Sequence, residues 1–263
     1  MSELLFLGTG AADWRIEDRG QGPRSQGSGF FRRNSAALLD RRLLLDCGRH
    51  IFDFAEAAGE PALYDGVTDI LITHSHSDHF CRDSILTLAG RQRLRLGCDR
   101  HVMQAVGPHP SIEYTVFEPF HEAQMGAYRV MPVIASHSVP LDADNVAMHY
   151  IITAPDGKTL FYGLDGAWFF GPSWLVMKKY RFDAMVLDCT VGDADDWRLC
   201  EHNTIPMLRT LTKGIREAGM LADGGQIIAS HMARTLHGSH EETAAILSAF
   251  GVAAAYDGMK LEF

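Results

Sequence analysis

Three histidines and one aspartate fall within six consecutive residues of Thr73-His74-Ser75-His76-Ser77-Asp78-His79. Imidazole and carboxylate are the ligand types that zinc and manganese sites use. The run follows Val67-Thr68-Asp69-Ile70-Leu71-Ile72-Thr73, an apolar stretch rich in β-branched residues that reads as a buried strand. Side chains leaving a strand keep a period of two, so His74 and His76 are expected on one side, where they can share a metal. Asp78 and His79 are adjacent and break that alternation. They are expected where the chain turns toward a helix, facing a second metal. A polar turn that is merely histidine-rich is the bland alternative, and this combination at a strand exit weighs against it. The run would supply half the ligands of a two-metal site.

Three further residues share one feature, a ligand-type side chain at the exit of an apolar strand: His137, Asp165 and His231. Singly, each would pass for a turn residue with satisfied hydrogen bonds. After the 74–79 run they complete two sets. A bridging carboxylate holds two metals about 3.5–4 Å apart, and Asp165 fits that bridge. His137 joins His74 and His76, and His231 joins Asp78 and His79. The expected cofactors are therefore two divalent ions, zinc or manganese.

Stepping along the chain, strands are expected at 3–7, at 35–39 and 42–46 as a hairpin, and at 67–73. More are expected at 128–133, at 149–153 and 159–162 around the turn Pro155-Asp156-Gly157, at 184–189 and 226–231, and near 254–256 and 260–263. Helices are expected at 51–58, 83–94, 173–179, 203–218 (capped by Asn203 or Thr204, with Pro206 in the first turn) and 241–250. Residues 102–120 are mixed, broken by three prolines. Gly8-Thr9-Gly10 suits a tight turn whose backbone passes close to something, the metal site being one candidate. The arginine-rich stretch 13–34 reads as a long loop, of the kind that is usually functional or mobile. Mostly strands in the first half, then alternating strands and helices, predict a four-layer αββα arrangement in the α/β class. No linker divides residues 1–263, so a single domain is expected.

Composition narrows the partners. Hydrophobic residues make up 46% and charged residues 22% of 263, an ordinary globular balance. No apolar run is long enough to span a membrane, and Leu4-Leu5-Phe6-Leu7 is too short for a signal-peptide core. Five scattered cysteines, never spaced C-x-x-C, read as reduced thiols and point to the cytoplasm. The net charge of −9 and pI near 5.8 weigh against a polymeric nucleic acid, although a local basic patch would suffice for one. A small-molecule substrate is expected, with no membrane partner; a homodimer is compatible with the sequence.

The 74–79 run resembles the signature of the metallo-β-lactamase superfamily, and the seven ligand candidates match that pattern residue by residue. The chain looks most like its phosphodiesterase branch, the phosphoribosyl cyclic phosphate phosphodiesterase (PhnP-like) group. Leu7-Gly8-Thr9-Gly10, Leu45-Asp46-Cys47-Gly48, Met185-Val186-Leu187-Asp188-Cys189, Glu201-His202-Asn203-Thr204 and Tyr256-Asp257-Gly258-Met259 carry the likeness from end to end. The resemblance implies hydrolysis of a small or cyclic phosphodiester by a metal-bridging hydroxide that Asp78 also orients. It further implies that His202 lies beside the metals and protonates the leaving group, as a histidine at a helix start can; a helix-capping or surface histidine is the alternative there. One departure stands out. The family's cysteine-rich N-terminal insert binds a structural zinc, whereas residues 11–35 contain no cysteine, so that metal is not expected.

Two other readings compete. A tRNA 3′-processing endonuclease-like hydrolase could use the same site, and residues 33–48 faintly favour it, against the acidic charge and the lack of a long insert to grip tRNA. A non-catalytic metal-binding module needs no proton donor, which His202 argues against. His237 and His240 are near enough in sequence to reach a substrate; His50, His101, His109, His121 and His149 read as structural or surface residues.

Overall fold

The computed structural model describes residues 1–15, 31–140, 144–194 and 196–263. Much of the arginine-rich stretch, Arg19 and Arg24 included, lies outside the described residues. The chain begins with β1 (Glu3–Gly8), β2 (Ala36–Leu39) and β3 (Leu43–Leu45), an antiparallel meander. The hydrogen-bonding direction then changes. Helices α1 (Ile51–Ala58), α2 (Arg82–Ala89) and α3 (Arg100–Val106) cross between β3, β4 (Asp69–Leu71), β5 (Leu94–Cys98) and β6 (Ile112–Val116), which run parallel.

The second sheet repeats this plan. β7 (Ala123–Met125), β8 (Tyr128–Ile134), β9 (Met148–Thr153) and β10 (Thr159–Gly163) are antiparallel. Crossovers through α4 (Gly171–Met177), α5 (Ile205–Glu217) and α6 (His240–Ser248) then add β11 (Phe182–Asp188), β12 (Leu221–Ser230) and β13 (Ala253–Ala254) in parallel. The chain returns to the first sheet as β14 (Lys260–Glu262) against β1. Each sheet has seven strands, in the orders β14-β1-β2-β3-β4-β5-β6 and β13-β12-β11-β10-β9-β8-β7.

Period-two alternation sorts the apolar side chains into layers. Leu4, Phe6, Leu43 and Leu45 face the interior between the sheets with Tyr128, Tyr150 and Tyr162. Leu5, Leu7 and Leu44 face outward, under the helices of the first sheet, with Ile51, Ile85 and Val102. A third cluster, including Phe161, Met185, Leu208 and Leu247, seals the second sheet beneath its own helices. Strands covered on both faces read as continuous apolar runs rather than alternating ones, which is why Leu4-Leu5-Phe6-Leu7 lacks polar residues. The result is the αββα sandwich expected. Among the described residues no helix is long and apolar enough to cross a membrane.

Several elements differ from the sequence reading. The helix expected over 83–94 stops at Ala89, and Leu94–Cys98 is a parallel strand instead. The strand before the histidine run is only Asp69–Leu71, so His74 and His76 sit on an irregular loop beyond it. β7 was not anticipated. The two terminal strands belong to different sheets, because Ala253–Ala254 pairs with β12 and Lys260–Glu262 with β1. Gly8 approaches the backbone of residues 33–34 rather than the site: a Cβ there would lie 2.0 Å from the Asn34 carbonyl oxygen. The five cysteines are free, three buried, Cys81 partly so and Cys200 exposed.

Candidate metal centre

Parallel strands end together, and loops at their carboxyl ends form the usual ligand crevice of such sheets. Here the loops after β3, β4, β8, β10, β11 and β12 meet at one edge of the sandwich. The histidine loop is tied down before it reaches them. Thr73 donates its N–H and hydroxyl to Asp46 Oδ1 at 2.8 and 2.9 Å, while its carbonyl accepts from Met148 N at 3.0 Å across the sheets. The Tyr150 hydroxyl donates to the Ile72 carbonyl at 2.7 Å. Gly48 lets the loop close, since a Cβ there would sit 2.4 Å from the Asp78 carbonyl oxygen.

Asp46 is wholly buried and takes φ 60°. Its Oδ2 accepts from His79 Nδ1 at 2.7 Å. In the tautomer this bond selects, His79 Nε2 carries a lone pair, pointed 3.2 Å from Asp165 Oδ2 and 3.1 Å from His231 Nε2. His231 is oriented in the same way, with Nδ1 2.7 Å from Thr190 Oγ1. Asp165 and His231, which end their strands at φ 55° and 59°, adopt a left-handed backbone that few non-glycine residues take.

Two clusters of donor atoms lying within 4.8 Å of one another match the expected ligand sets, His74, His76, His137 and Asp165 in one and Asp78, His79, Asp165 and His231 in the other. Two more clusters, Asp165, Asp188, His202 and His231, and His137, Glu201 and His202, bring His202 up against them. Asp165 belongs to both of the expected sets. Its Oδ2 lies 3.2 Å from His74 Nε2 and 3.5 Å from His137 Nε2, and its Oδ1 lies 2.8 Å from His231 Nε2. His137 Nε2 is 3.0 Å from His76 Nδ1, and Asp78 Oδ2 is 3.4 Å from His231 Nε2. Yet Asp165 Oδ1 and His74 Nε2 are buried without a well-aligned hydrogen bond. Buried polar atoms of this kind call for an explanation, and a crowd of inward lone pairs around carboxylates fits divalent cations.

The electrostatics agree. Burial pushes His137 down to about 4 and lowers His74 and His76, leaving neutral imidazoles able to donate lone pairs. Burial would raise Asp165, but His231, His79 and His137 outweigh it and hold its carboxyl well below the usual range. Asp78 is held down likewise by His79 and His231. Conversely, burial opposes protonation of His79 and His231, yet Asp165 draws both upward, His231 to about 10. Positive charge is what these carboxylates demand.

Beside the two groups stands His202. Its Nδ1 lies 2.9 Å from Asp188 Oδ2 and 3.9 Å from Asp165 Oδ1. Asp188 Oδ2 also accepts from the Thr190 hydroxyl at 2.8 Å, and Asp188 Oδ1 from Asn203 N at 2.8 Å. Burial lowers the His202 pKa, but the Asp188 charge and hydrogen bond outweigh it and raise the value above normal. Helix α5 starts just beyond, capped by Thr204, whose hydroxyl accepts from Met207 N at 3.2 Å. His76, Asp78, His137, Asp165, His202 and His231 line one cleft of about 220 Å³. A larger hollow of about 500 Å³, lined by Met103, Pro108, Ile112 and Tyr114, has no cluster of ligand-type side chains. Chemistry, not volume, marks the site.

Residues 41–256 match the family model of the beta-lactamase superfamily domain. The chain belongs to the beta-lactamase superfamily. Its fold is shared by YhfI of Bacillus subtilis, a metallo-beta-lactamase fold protein, at TM-score 0.73 and 15% identity over 100% of this chain and 99% of that one. A diphosphatase of the PhnP family follows at TM-score 0.71 and 18% identity, covering 100% and 98%. In sequence, a metal-dependent hydrolase of Methylobacterium nodulans is 28% identical over 154 residues. That match takes in 56% of this chain and 62% of that protein's length.

In this member of the superfamily all seven expected ligand candidates and His202 come together. His237 and His240 do not join them: His237 donates to the Cys189 carbonyl at 2.6 Å, and His240 Nδ1 lies 3.1 Å from Arg32 Nη2. Arg32 and Arg33, the described end of the arginine-rich stretch, are turned inward, Arg33 onto Asp53 and Asp257. The stretches around Asp46 and Asp188 carry the family likeness, but nothing in the sequence gives either carboxylate a role. Nor does it single out His149, whose buried Nε2 donates to the Asp165 carbonyl at 3.3 Å. Orienting partners of this kind typically change metal affinity by about 10–100-fold when replaced. Asp46→Asn is therefore expected to weaken metal retention within that range, read by competition with a chelator, while the fold persists.

Proposed function

We propose that the chain is a metal-dependent phosphodiesterase that hydrolyses a small or cyclic phosphodiester. One divalent ion, zinc or manganese, is assigned to His74, His76, His137 and Asp165, and a second to Asp78, His79, Asp165 and His231. When bound, such ions would lower the pKa of coordinated water to about 7 and neutralise charge on phosphoryl oxygens. The chain's own residues supply the rest. Asp78, ionised and 3.4 Å from His231, orients the attacking water. Asp188 fixes His202 through Nδ1, leaving Nε2–H to donate to the departing oxygen.

That histidine is the observation that carries the reading. It lines the cleft, is needed by neither of the two expected ligand sets, and the Asp188 carboxylate at its Nδ1 raises its pKa and so favours the protonated form. A module that only binds metal has no use for such a donor. The names of a similar protein, a metal-dependent hydrolase, and of a structural neighbour, a PhnP-family diphosphatase, are compatible with it. The fold alone would not license it. The test is turnover by metal-loaded protein of bis(p-nitrophenyl) phosphate, a cyclic ribose phosphate and a precursor tRNA, with a β-lactam and a thioester alongside. Hydrolysis of the first two is expected. Cleavage confined to the tRNA, or turnover confined to the β-lactam or thioester, would overturn the proposal.

A further inference from the structure

The cleft over His76, Asp165 and His202 encloses about 220 Å³, less than the roughly 300–1,000 Å³ of most small-molecule sites. It can seat a scissile phosphodiester, but the bulk of an organic group attached to it must then lie across the rim. Trp197, on the 3-10 turn Trp197–Cys200, belongs to the cleft wall and is 74% exposed. Leu199 on the same turn is exposed as well, as are Trp168 and Phe170 on the loop after Asp165. Among the described residues, four of the nine exposed large hydrophobic ones thus stand within five positions of Asp165 or His202. The two segments are joined, since Asn203 Oδ1 accepts from Trp168 N at 2.9 Å. Of the four, Trp197 belongs to the cleft wall itself, and an exposed apolar ring on a polar cleft marks a contact surface.

Charge at the rim narrows what is contacted. The Arg198 guanidinium is already matched by Asp196, with Nε at 2.7 Å from Oδ1 and Nη2 at 2.8 Å from Oδ2. Asp13 and Glu201 also line the cleft. A second phosphate would meet carboxylates there and a guanidinium whose fork is taken. What remains on offer is the flat indole of Trp197, with polar groups near its edge.

We infer that Trp197 is a specificity-determining residue that stacks on an aromatic ring carried by the substrate, which makes nucleoside phosphodiesters the substrate class. A nucleobase has the π-face, and the N–H groups on its edge suit the Glu201 carboxylate that lines the same cleft. Stacking of one base on one aromatic side chain changes affinity by about 5–150-fold. The substrate class rests on the phosphodiesterase reading; the ring-binding surface does not.

Two measurements on metal-loaded protein separate them. Calorimetry compares thymidine 5′-monophosphate, ribose 5-phosphate and phenyl phosphate on the wild type, Trp197→Ala and Trp197→Phe. The wild type should bind the nucleotide at least about 5-fold more tightly than ribose 5-phosphate, Trp197→Ala should lose that margin, and Trp197→Phe should keep most of it. Phenyl phosphate equal to the nucleotide would overturn the nucleoside class. Kinetics then compare thymidine 5′-(p-nitrophenyl phosphate) with ethyl p-nitrophenyl phosphate, which share a leaving group. Trp197→Ala should lower kcat/KM on the first by about 5–150-fold and on the second by no more than about twofold. Equal losses on both, or no nucleotide preference in the wild type, would remove Trp197 from specificity. A Trp197→Ala protein that changes from dimer to monomer would give the rim to a second copy of the chain and overturn the inference. Nucleotide binding that depends on Trp197, without turnover of either diester, would instead sink the phosphodiesterase reading and leave the ring-binding surface standing.

Discussion

Replacing Asp165 by alanine is expected to take the protein from two bound divalent ions to none and to cut hydrolysis by more than about 10⁴-fold, since water activation and charge neutralisation go together. The reason is geometric. Oδ2 of this one carboxylate lies 3.2 Å from both His74 and His79, and Oδ1 lies 2.8 Å from His231. Among the described residues no other carboxylate belongs to both of the expected ligand sets. The backbone complicates the comparison, because Asp165 sits at φ 55°. Asp and Asn tolerate this left-handed region better than alanine, for which it costs roughly 1–2 kcal/mol. Asp165→Asn keeps the shape and removes the charge, so it isolates the electrostatic part. Elemental analysis after extensive dialysis, with a melting curve for each variant, reads the result. His137→Ala should mainly weaken one ion. An Asp165→Asn protein that kept two ions at full occupancy would defeat the assignment of the bridge.

What made this site legible was a repeated local signature, a ligand-type residue immediately beyond an apolar strand. His137 follows β8, Asp165 follows β10 and His231 follows β12, each within three residues of the strand's end. The orienting carboxylates have no such signature. Asp46 reaches His79 across 33 positions and Asp188 reaches His202 across 14, and nothing local to either aspartate announces a distant imidazole. The fold shows the same division. The hairpins and the long apolar strands were plain from their patterns. The helix expected over 83–94 overruns into β5 at Leu94 because no proline or cluster of turn residues follows Gly90, and residues 95–98 carry too short a pattern to announce a strand. β7 has three residues, none β-branched, and is held at a sheet edge by its pairing with β8. Short edge strands are defined by a neighbour rather than by their own sequence.

His202→Ala should keep both ions and nearly normal stability while lowering the rate on a poor leaving group by about 10²–10⁴-fold, the usual worth of a positioned proton donor. Metal retention is expected because His202 lies outside both proposed ligand groups, with Nδ1 committed to Asp188. The rate loss should shrink for p-nitrophenolate, which departs without a proton, compared with an alkyl or sugar alkoxide. Other roles make different demands. As a ligand, His202 would take metal with it when replaced, and both leaving groups would suffer alike. As a helix cap, its loss would cost roughly 1 kcal/mol of stability and spare activity, but Thr204 already caps α5. Asp188→Asn provides a second handle, since it leaves the imidazole in place while removing the charge that favours its protonated form. It should reproduce part of the leaving-group dependence, with the ions retained. Metal content, melting temperature and rates on one good and one poor leaving group therefore decide His202's role, and full activity of His202→Ala on the alkoxide would exclude it from proton transfer.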